Sequence, residues 1–162
     1  MISPTYGECA DQEVAEIILR YIKKDIRNSE GFNVIIGADS QNFSDTKAVV
    51  ALVVQNIGKG GIFFYDIKRV PRIESIRQKL LFETNLSLQY ADKFLHRIES
   101  LILKNKLMCD KINFCIHIDA GLKGKTNVLI PEVTSWINAC GYHCEIKPNS
   151  FAASNVADKL SK

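Results

Sequence analysis

The apolar positions of this chain fall into two alternating patterns: segments with a helical period, and short runs rich in β-branched residues. Val14, Ile17, Ile18, Tyr21 and Ile22 recur at helical spacing, with Glu16, Lys23 and Lys24 off the stripe. That spacing predicts a helix over residues 11–27, with Asp11 as N-cap and Gly31 after its end. Three strands are predicted next, over residues 33–41, 48–54 and 62–69. The second is apolar throughout and reads as buried on both faces. The links between them are a polar turn and Gly58-Lys59-Gly60-Gly61. Two connections this short imply an antiparallel meander. Over residues 73–103 the pattern is that of one long amphipathic helix. Its stripe comprises Ile76, Leu80, Ser87, Tyr90, Phe94, Ile98 and Leu101. A fourth strand (111–118), a helix (126–139, closed by Gly141) and a fifth strand (142–147) follow. Pro131 falls early in that helix, where it is tolerated or introduces a kink. Pro148-Asn149-Ser150 then turns the chain into a terminal helix with Ala153, Val156, Ala157 and Leu160 on its stripe.

Polar residues that interrupt this pattern carry the candidate chemistry. The first strand ends in Gly37-Ala38-Asp39-Ser40-Gln41, which delivers a carboxylate among small and polar groups. Gly37 lies on the same strand face as Asp39 and leaves space beside it. The fourth strand also ends in a carboxylate, Asp119. A strand between helices tends to run parallel to its neighbours. Beside the first strand it would set Asp39 and Asp119 side by side, at the strand ends where open α/β sheets bind ligands. On the long helix, Glu83 falls within about 40° of the apolar stripe, whereas Glu74, Asp92 and Glu99 lie at least about 120° away. An ionised carboxylate turned inward costs several kcal/mol unless it is paired or metal-bound. Lys79, one turn earlier, is the ordinary partner. His117 shares a face with Asp119 and reads first as a core or hydrogen-bonded histidine. Asp158 lies off the terminal stripe, where it could simply pair with Lys162.

Composition narrows the class without deciding it. The chain has 162 residues, 46% hydrophobic and 24% charged, and no linker divides it. One domain over 1–162 is expected, with 1–31 contributing a helix packed on it. No apolar run approaches the ~20 residues of a membrane span, and the N-terminus lacks a signal pattern. A net charge of +3 is too small to argue for a polyanionic partner. Lys68, Arg69, Arg72, Arg77 and Lys79 crowd one stretch, as either a solvated basic face or a phosphate-contacting patch. Five cysteines, an odd number with no CxxC pair, suit reduced thiols in a cytoplasm. Cys140, His143 and Cys144 make a zinc fragment that lacks a second ligand pair. Gly124-Lys125-Thr126 is not a P-loop, because Asp119 stands where the leading glycine is required. What remains is a glycine-rich loop with Lys123 and Lys125 ahead of a helix, able to hold a phosphate of a nucleic-acid backbone.

Taken jointly, Ile36-Gly37-Ala38-Asp39-Ser40-Gln41, Glu83-Thr84, His117-Ile118-Asp119, Gly121, Gly124-Lys125-Thr126 and residues 147–159 resemble the YkuK-like family of predicted ribonuclease H-related nucleases. The resemblance covers nearly all of the chain from Asn33 onward. It implies an α/β ribonuclease H-like fold: a five-stranded mixed sheet with helices on both faces. It also implies two Mg²⁺ or Mn²⁺ ions held by Asp39, Glu83, Asp119 and Asp158. Hard divalent ions want oxygen ligands, and two of them ~3.5–4 Å apart would ready a water and stabilise the leaving oxygen. The implied substrate is a nucleic acid (RNA, DNA or hybrid). Lys123, Lys125 and Lys147 would lie against its phosphates, with Ser40 and Gln41 contacting it beside Asp39. The chain lacks the aromatic-rich basic handle that some ribonucleases H use to grip a duplex. A non-catalytic module binding nucleic acid or a protein partner is the competing expectation. A small ATPase on the same fold is disfavoured by the failed P-loop.

Overall fold

The computed structural model describes residues 1–121, 126–150 and 153–161, the side chains of Ala153, Ser154 and Asp158 excepted. The elements are β1 (Ile2–Ser3), β2 (Gly7–Glu8), α1 (Asp11–Asp25), β3 (Phe32–Asn42), β4 (Thr46–Asn56) and β5 (Gly60–Val70). They continue with α2 (Ile76–Lys104), β6 (Ile112–Gly121), α3 (Ile130–Ala139), β7 (Cys144–Lys147) and α4 (Asp158–Ser161). All strands join one sheet in the order β2-β1-β5-β4-β3-β6-β7. Among the described residues the sheet therefore has seven strands, not the expected five. The additional two are only two residues long, too short to leave a period in the sequence. They form a hairpin that pairs Ile2 with Tyr65 and so covers the outer edge of β5.

The meander is as expected. β3 and β4 pair from Phe32↔Asn56 to Asn42↔Thr46, and β4 and β5 from Thr46↔Val70 to Asn56↔Gly60. The turn into β5 uses Gly58 and Gly60 at φ +77° and +102°. A Cβ on Gly61 would stand 2.5 Å from the Val54 carbonyl oxygen, so the sheet closes around the missing side chain. β6 then pairs with β3 in parallel, from Phe32↔Ile112 to Gly37↔His117.

Alternation sorts the sheet into two faces. Val34, Ile36, Val50, Leu52 and Ile116 are fully buried with Phe94 and Ile98 of α2 and Ile18 and Ile22 of α1. Each such side chain contributes roughly 1.5–3 kcal/mol of burial. On the other face Val49 and Ala51 meet the buried Ala157, with Val156 and Leu160 alongside. The chain's last turns thus lie across β4, opposite α2. A π-helical turn over Ala153–Ala157 leads into α4, so the terminal segment is less regular than the expected helix.

Several boundaries differ for local reasons. Ala10, not Asp11, caps α1, and the Glu13 carboxylate accepts from the Ala10 amide at 2.8 Å. Ile76 is 47% exposed because the first turn of α2 precedes its contact with the sheet; Leu80 is its first buried residue. α3 begins at Ile130 after a short turn over Asn127–Leu129, so Pro131 sits in the first helical turn and causes no kink. No helix of the described residues is long and apolar enough to cross a membrane.

Candidate acidic site

Parallel pairing of β3 with β6 fixes the frame of the site. The register ends at Gly37↔His117, and each strand continues two residues to an aspartate, Asp39 or Asp119. Both carboxylates therefore stand at the same sheet rim on adjacent strands. A bulge adjusts the second one. His117 pairs with Glu145 and Gly121 with Lys147, so residues 118–120 of β6 face Ile146 alone. Extra residues at such a point bend a strand and re-aim its side chains. Here the residue re-aimed is Asp119, whose Oδ1 lies 2.6 Å from the Lys147 ammonium.

Asp39 is buried, and its Oδ2 accepts a 2.7 Å hydrogen bond from the hydroxyl of Ser161, itself fully buried. The terminal segment is latched a second time, by Lys47 Nζ donating to the Leu160 carbonyl at 2.6 Å. Glu83 reaches the rim from α2, on the opposite face. Its Oε1 accepts a 2.6 Å hydrogen bond from the Ser40 hydroxyl, and Lys79 Nζ donates to the Ser40 carbonyl at 2.7 Å. Lys79 is therefore not the hydrogen-bonding partner that its spacing suggested. Glu83 and Asp119 line one narrow crevice between α2 and the sheet, with Leu80, Thr84, Ser87 and Ile118.

Electrostatics mark Glu83 out. Burial pushes its carboxyl up from 4.5 to about 8; the Ser40 hydroxyl opposes this, Asp39 adds to it, Lys79 opposes it and Asp119 adds again. The three acids thus sense one another, and the crevice disfavours a third negative charge. The residue as a whole keeps some solvent exposure, so the desolvation falls on the carboxyl tip. His117 is buried, and desolvation lowers it from 6.5 to about 4, with Glu145 pulling the other way. Its imidazole is neutral at physiological pH.

The expected site residues divide clearly. Asp39, Glu83, Asp119, Ser40 and Lys147 come together at one rim. Gln41 follows on the same strand, half-buried and paired across from Lys47. Asp158 opens α4 beside this rim's latch, but its side chain lies outside the described residues. Lys123 and Lys125 lie outside them altogether. The basic stretch is largely paired: Lys68 with Asp66, Arg69 with Asp45, Arg72 with Glu74, Arg77 with Glu132. It is a set of surface ion pairs more than an open phosphate patch. Sequence reasoning missed Ser161. Its partner Asp39 is 122 positions away, and nothing local singles out a serine so near the end of the chain.

As a donor set, clustered carboxylate oxygens fit a hard divalent cation, and the crowding at Glu83 is what such a charge would relieve. Among the described residues, no three His, Cys, Asp or Glu side chains are drawn together tightly enough to hold an ion as they stand. Ligation by Asp39, Glu83 and Asp119 together would require their carboxylates to draw closer to one another.

A family model described as ribonuclease H-like matches residues 13–162. The chain belongs to the ribonuclease H-like family. This ribonuclease H-like chain is 35% identical over 157 residues to the uncharacterised protein YkuK of Bacillus subtilis (strain 168), covering 93% of this chain and 90% of that protein. Among solved structures, it is similar to the N-terminal ribonuclease H domain of a Mycobacterium tuberculosis protein fused to maltose-binding protein. That similarity has 14% identity, a TM-score of 0.36, and coverage of 81% of this chain and 94% of the other. The catalytic domain of Mos1 transposase, solved with raltegravir and Mg, is similar at 14% identity and TM-score 0.28, covering 93% of this chain and 68% of that one.

Proposed function

We propose that this chain is a metal-dependent nuclease that hydrolyses phosphodiester bonds of nucleic acid at the rim formed by β3, β6 and α2. The observation that carries the reading is the placement of Asp39 and Asp119 at adjacent parallel strand ends with Glu83 entering from α2. Family membership supports it at the level of fold and class. Asp39, Glu83, Asp119 and Asp158 would hold Mg²⁺ or Mn²⁺. When bound, such an ion lowers the pKa of a coordinated water and neutralises charge developing on the phosphate. The chain's own part is to hold those carboxylates. Ser161 fixes the rotamer of Asp39, Ser40 fixes Glu83, and the β6 bulge directs Asp119. Lys123 and Lys125 are placed by sequence where they could meet phosphates. Five free thiols suit a reducing compartment, and we read the protein as cytoplasmic.

The test is cleavage of a panel of labelled RNA, DNA, hybrid and junction oligonucleotides in Mg²⁺, Mn²⁺ or EDTA. Cleavage of at least one substrate, abolished by EDTA and by Asp39→Asn, is expected. Failure on every substrate with both metals would sink the reading. One observation favours a second reading, a non-catalytic module that binds nucleic acid or a protein partner. Each of the three carboxylates already has a donor within the chain: Ser161, Ser40 or Lys147. Calorimetric titration with Mn²⁺ separates the two. Binding that disappears in Asp39→Asn and Asp119→Asn supports the nuclease, and equal behaviour of all three proteins supports the module.

A further inference from the structure

We propose that the surface formed by the β1–β2 hairpin, the second half of α1 and the segment after α2 binds single-stranded nucleic acid, with the rings of Tyr6 and Tyr21 against bases and the cations around Lys24 against phosphates. The inference goes beyond the nuclease reading and does not rest on it, since a module that binds without cleaving would use the surface in the same way. A groove of about 510 Å³ lies between hairpin and helix, lined by Tyr6, Ile17, Arg20, Tyr21 and Lys24. A second, of about 520 Å³, shares Lys24 and continues past Lys23, Arg27, Lys106 and Met108. Both fall within the roughly 300–1,000 Å³ of ligand clefts.

Charge selects an anionic partner. Every charged residue lining the two grooves is a cation: Arg20, Lys23, Lys24, Arg27 and Lys106. Among the described residues none of these five is in an ion pair. Asp25, next to Lys24, is held instead by Lys59 at 2.8 Å and by the Asn56 amide. Lys23 donates only to the neutral Asn105 side chain, at 2.9 Å. The basic stretch from Lys68 to Arg77 is by contrast matched to acids. The dipole of α1 favours Lys23 and Lys24 in its last turn. It does not account for Lys106, which comes from another segment and takes a left-handed conformation (φ 54°) in which glycine is less strained. A surface of cations without counter-charges attracts a polyanion.

The rings decide the class of polyanion. Tyr6 lies over the buried Phe64, with centroids 6.2 Å apart and an interplanar angle of 9°, yet it is 44% exposed. One ring face is covered, so that exposure belongs to the other face and the edge. Tyr21 meets Phe32 edge-on at 6.0 Å and is half-buried on the same groove. The core beneath thus fixes both rings, among aliphatic stems that end in ammonium and guanidinium groups. An unpaired base with its phosphate matches both features, and base–aromatic stacking is indifferent to sequence. A duplex keeps its bases stacked on one another and can use only the cations. Phe32 begins β3 and Asp39 lies seven residues further along it. At ~3.3 Å per residue the surface stands about 23 Å from the acidic rim, and its use does not depend on how the acids are arranged.

Fluorescence anisotropy of the full chain with labelled oligothymidylate or oligouridylate of about 20 nucleotides, in EDTA, tests this. Wild type is expected to bind single strands, and a duplex of the same length more weakly. Binding of either strand supports the inference, and the tighter of the two names the preferred sugar. Tyr6→Leu keeps an apolar cover over Phe64 but removes the stacking ring; it should weaken single-strand binding at least about fivefold and leave duplex binding unchanged. Tyr6→Phe should bind as the wild type does. Arg20→Gln combined with Lys24→Gln should weaken binding and flatten the slope of log K against log salt by about 1.4, that is about 0.7 for each lost phosphate contact. Circular dichroism melts confirm that each variant is folded. Should Tyr6→Leu not fold, the charge variant, whose two side chains are exposed, carries the test. No binding by wild type overturns the inference, as does single-strand binding that neither folded variant weakens, or a duplex bound more tightly than both strands. Because EDTA removes divalent ions, cleavage plays no part: a nuclease reading that fails on every substrate leaves this binding untouched, and loss of this binding leaves cleavage to be scored on its own.

Discussion

The hydroxyl of Ser40, on β3, donates at 2.6 Å to the carboxylate of Glu83, on α2. This bond ties the long helix to the sheet at the point where both reach the acidic rim. The same serine's carbonyl holds Lys79, one turn before Glu83. Ser40 is buried, so its removal leaves a carboxylate in a desolvated crevice without one of its stabilising donors. A hydrogen bond to a charged group contributes about 1.5–3 kcal/mol. Ser40→Ala is expected to lose that much stability at pH 9, where Glu83 is ionised, and about 1 kcal/mol or less at pH 5, where it is protonated. Urea denaturation at the two pH values checks this. Equal losses would mean that the bond does not discriminate between the charged and neutral acid.

Two buried groups shift in opposite directions, which makes the pH dependence of stability specific. Glu83 is raised from 4.5 to about 8, so the folded state binds more protons between those values and stability falls as pH rises through them. His117 is lowered from 6.5 to about 4, so the unfolded state binds more protons there and stability falls as pH drops through that window. Each contributes a slope of at most about 1.4 kcal/mol per pH unit. Between 4.5 and 6.5 the slopes cancel; above 6.5 the glutamate's remains. Without added metal, Glu83→Gln is expected to remove the decline between pH 6.5 and 8. His117→Gln is expected instead to uncover the glutamate's decline from pH 4.5 upward, where the two slopes cancel in the wild type. Thermal melts across pH 4–9 read both.

Much of this fold can be read in the sequence because its signals are local. The apolar run of β4, the β-branched run of β3 and the stripe of α2 each declare their own element. The small links between strands dictate the meander. The proximity of Asp39 and Asp119 also followed, because a strand lying between helices tends to pair in parallel with its neighbour. What did not follow was set by tertiary contact. The β1–β2 hairpin has no period to detect. The bulge opposite Ile146, which aims Asp119, depends on how β7 is registered. Ser161 acquires its role only when the terminal segment meets the rim, and Lys147, expected to face phosphates, meets Asp119 only through the register of β7. Ile76 fits the helical stripe, yet the sheet does not extend far enough to cover it.

The terminal segment is expected to be separable from the rest. Ala157 is fully buried against Val49 and Ala51, while the large core of α1, α2 and α3 lies on the other side of the sheet. A carboxylate at position 157 would be placed in that apolar contact without a partner, at a cost of several kcal/mol. Undocking the segment relieves it. Ala157→Asp is therefore expected to retain the circular dichroism spectrum of the wild type while its last residues become sensitive to carboxypeptidase. Ser161 would then leave Asp39, and nuclease activity and Mn²⁺ affinity should fall at least tenfold. A protein that unfolds globally instead would show that the segment belongs to the main cooperative unit.

Metal and proton compete for Glu83 if the rim is a metal site. A carboxyl whose value stands at about 8 is mostly protonated at pH 6, and an ion must displace that proton to bind. Apparent affinity for Mn²⁺ is therefore expected to rise roughly tenfold per pH unit from 6 to 8, and then level off. A ligand at a hundred times its Kd stabilises the folded state by about 2.7 kcal/mol. At fixed Mn²⁺ the melting temperature should thus gain progressively more from metal at pH 7 and 8 than at pH 6. EDTA should erase the gain at each pH. In Glu83→Gln no proton is displaced, and whatever stabilisation remains should be independent of pH over this range. Equal metal-induced shifts at pH 6 and 8 in the wild type would mean that the ion does not use Glu83, and that the carboxylate entering from α2 has another purpose.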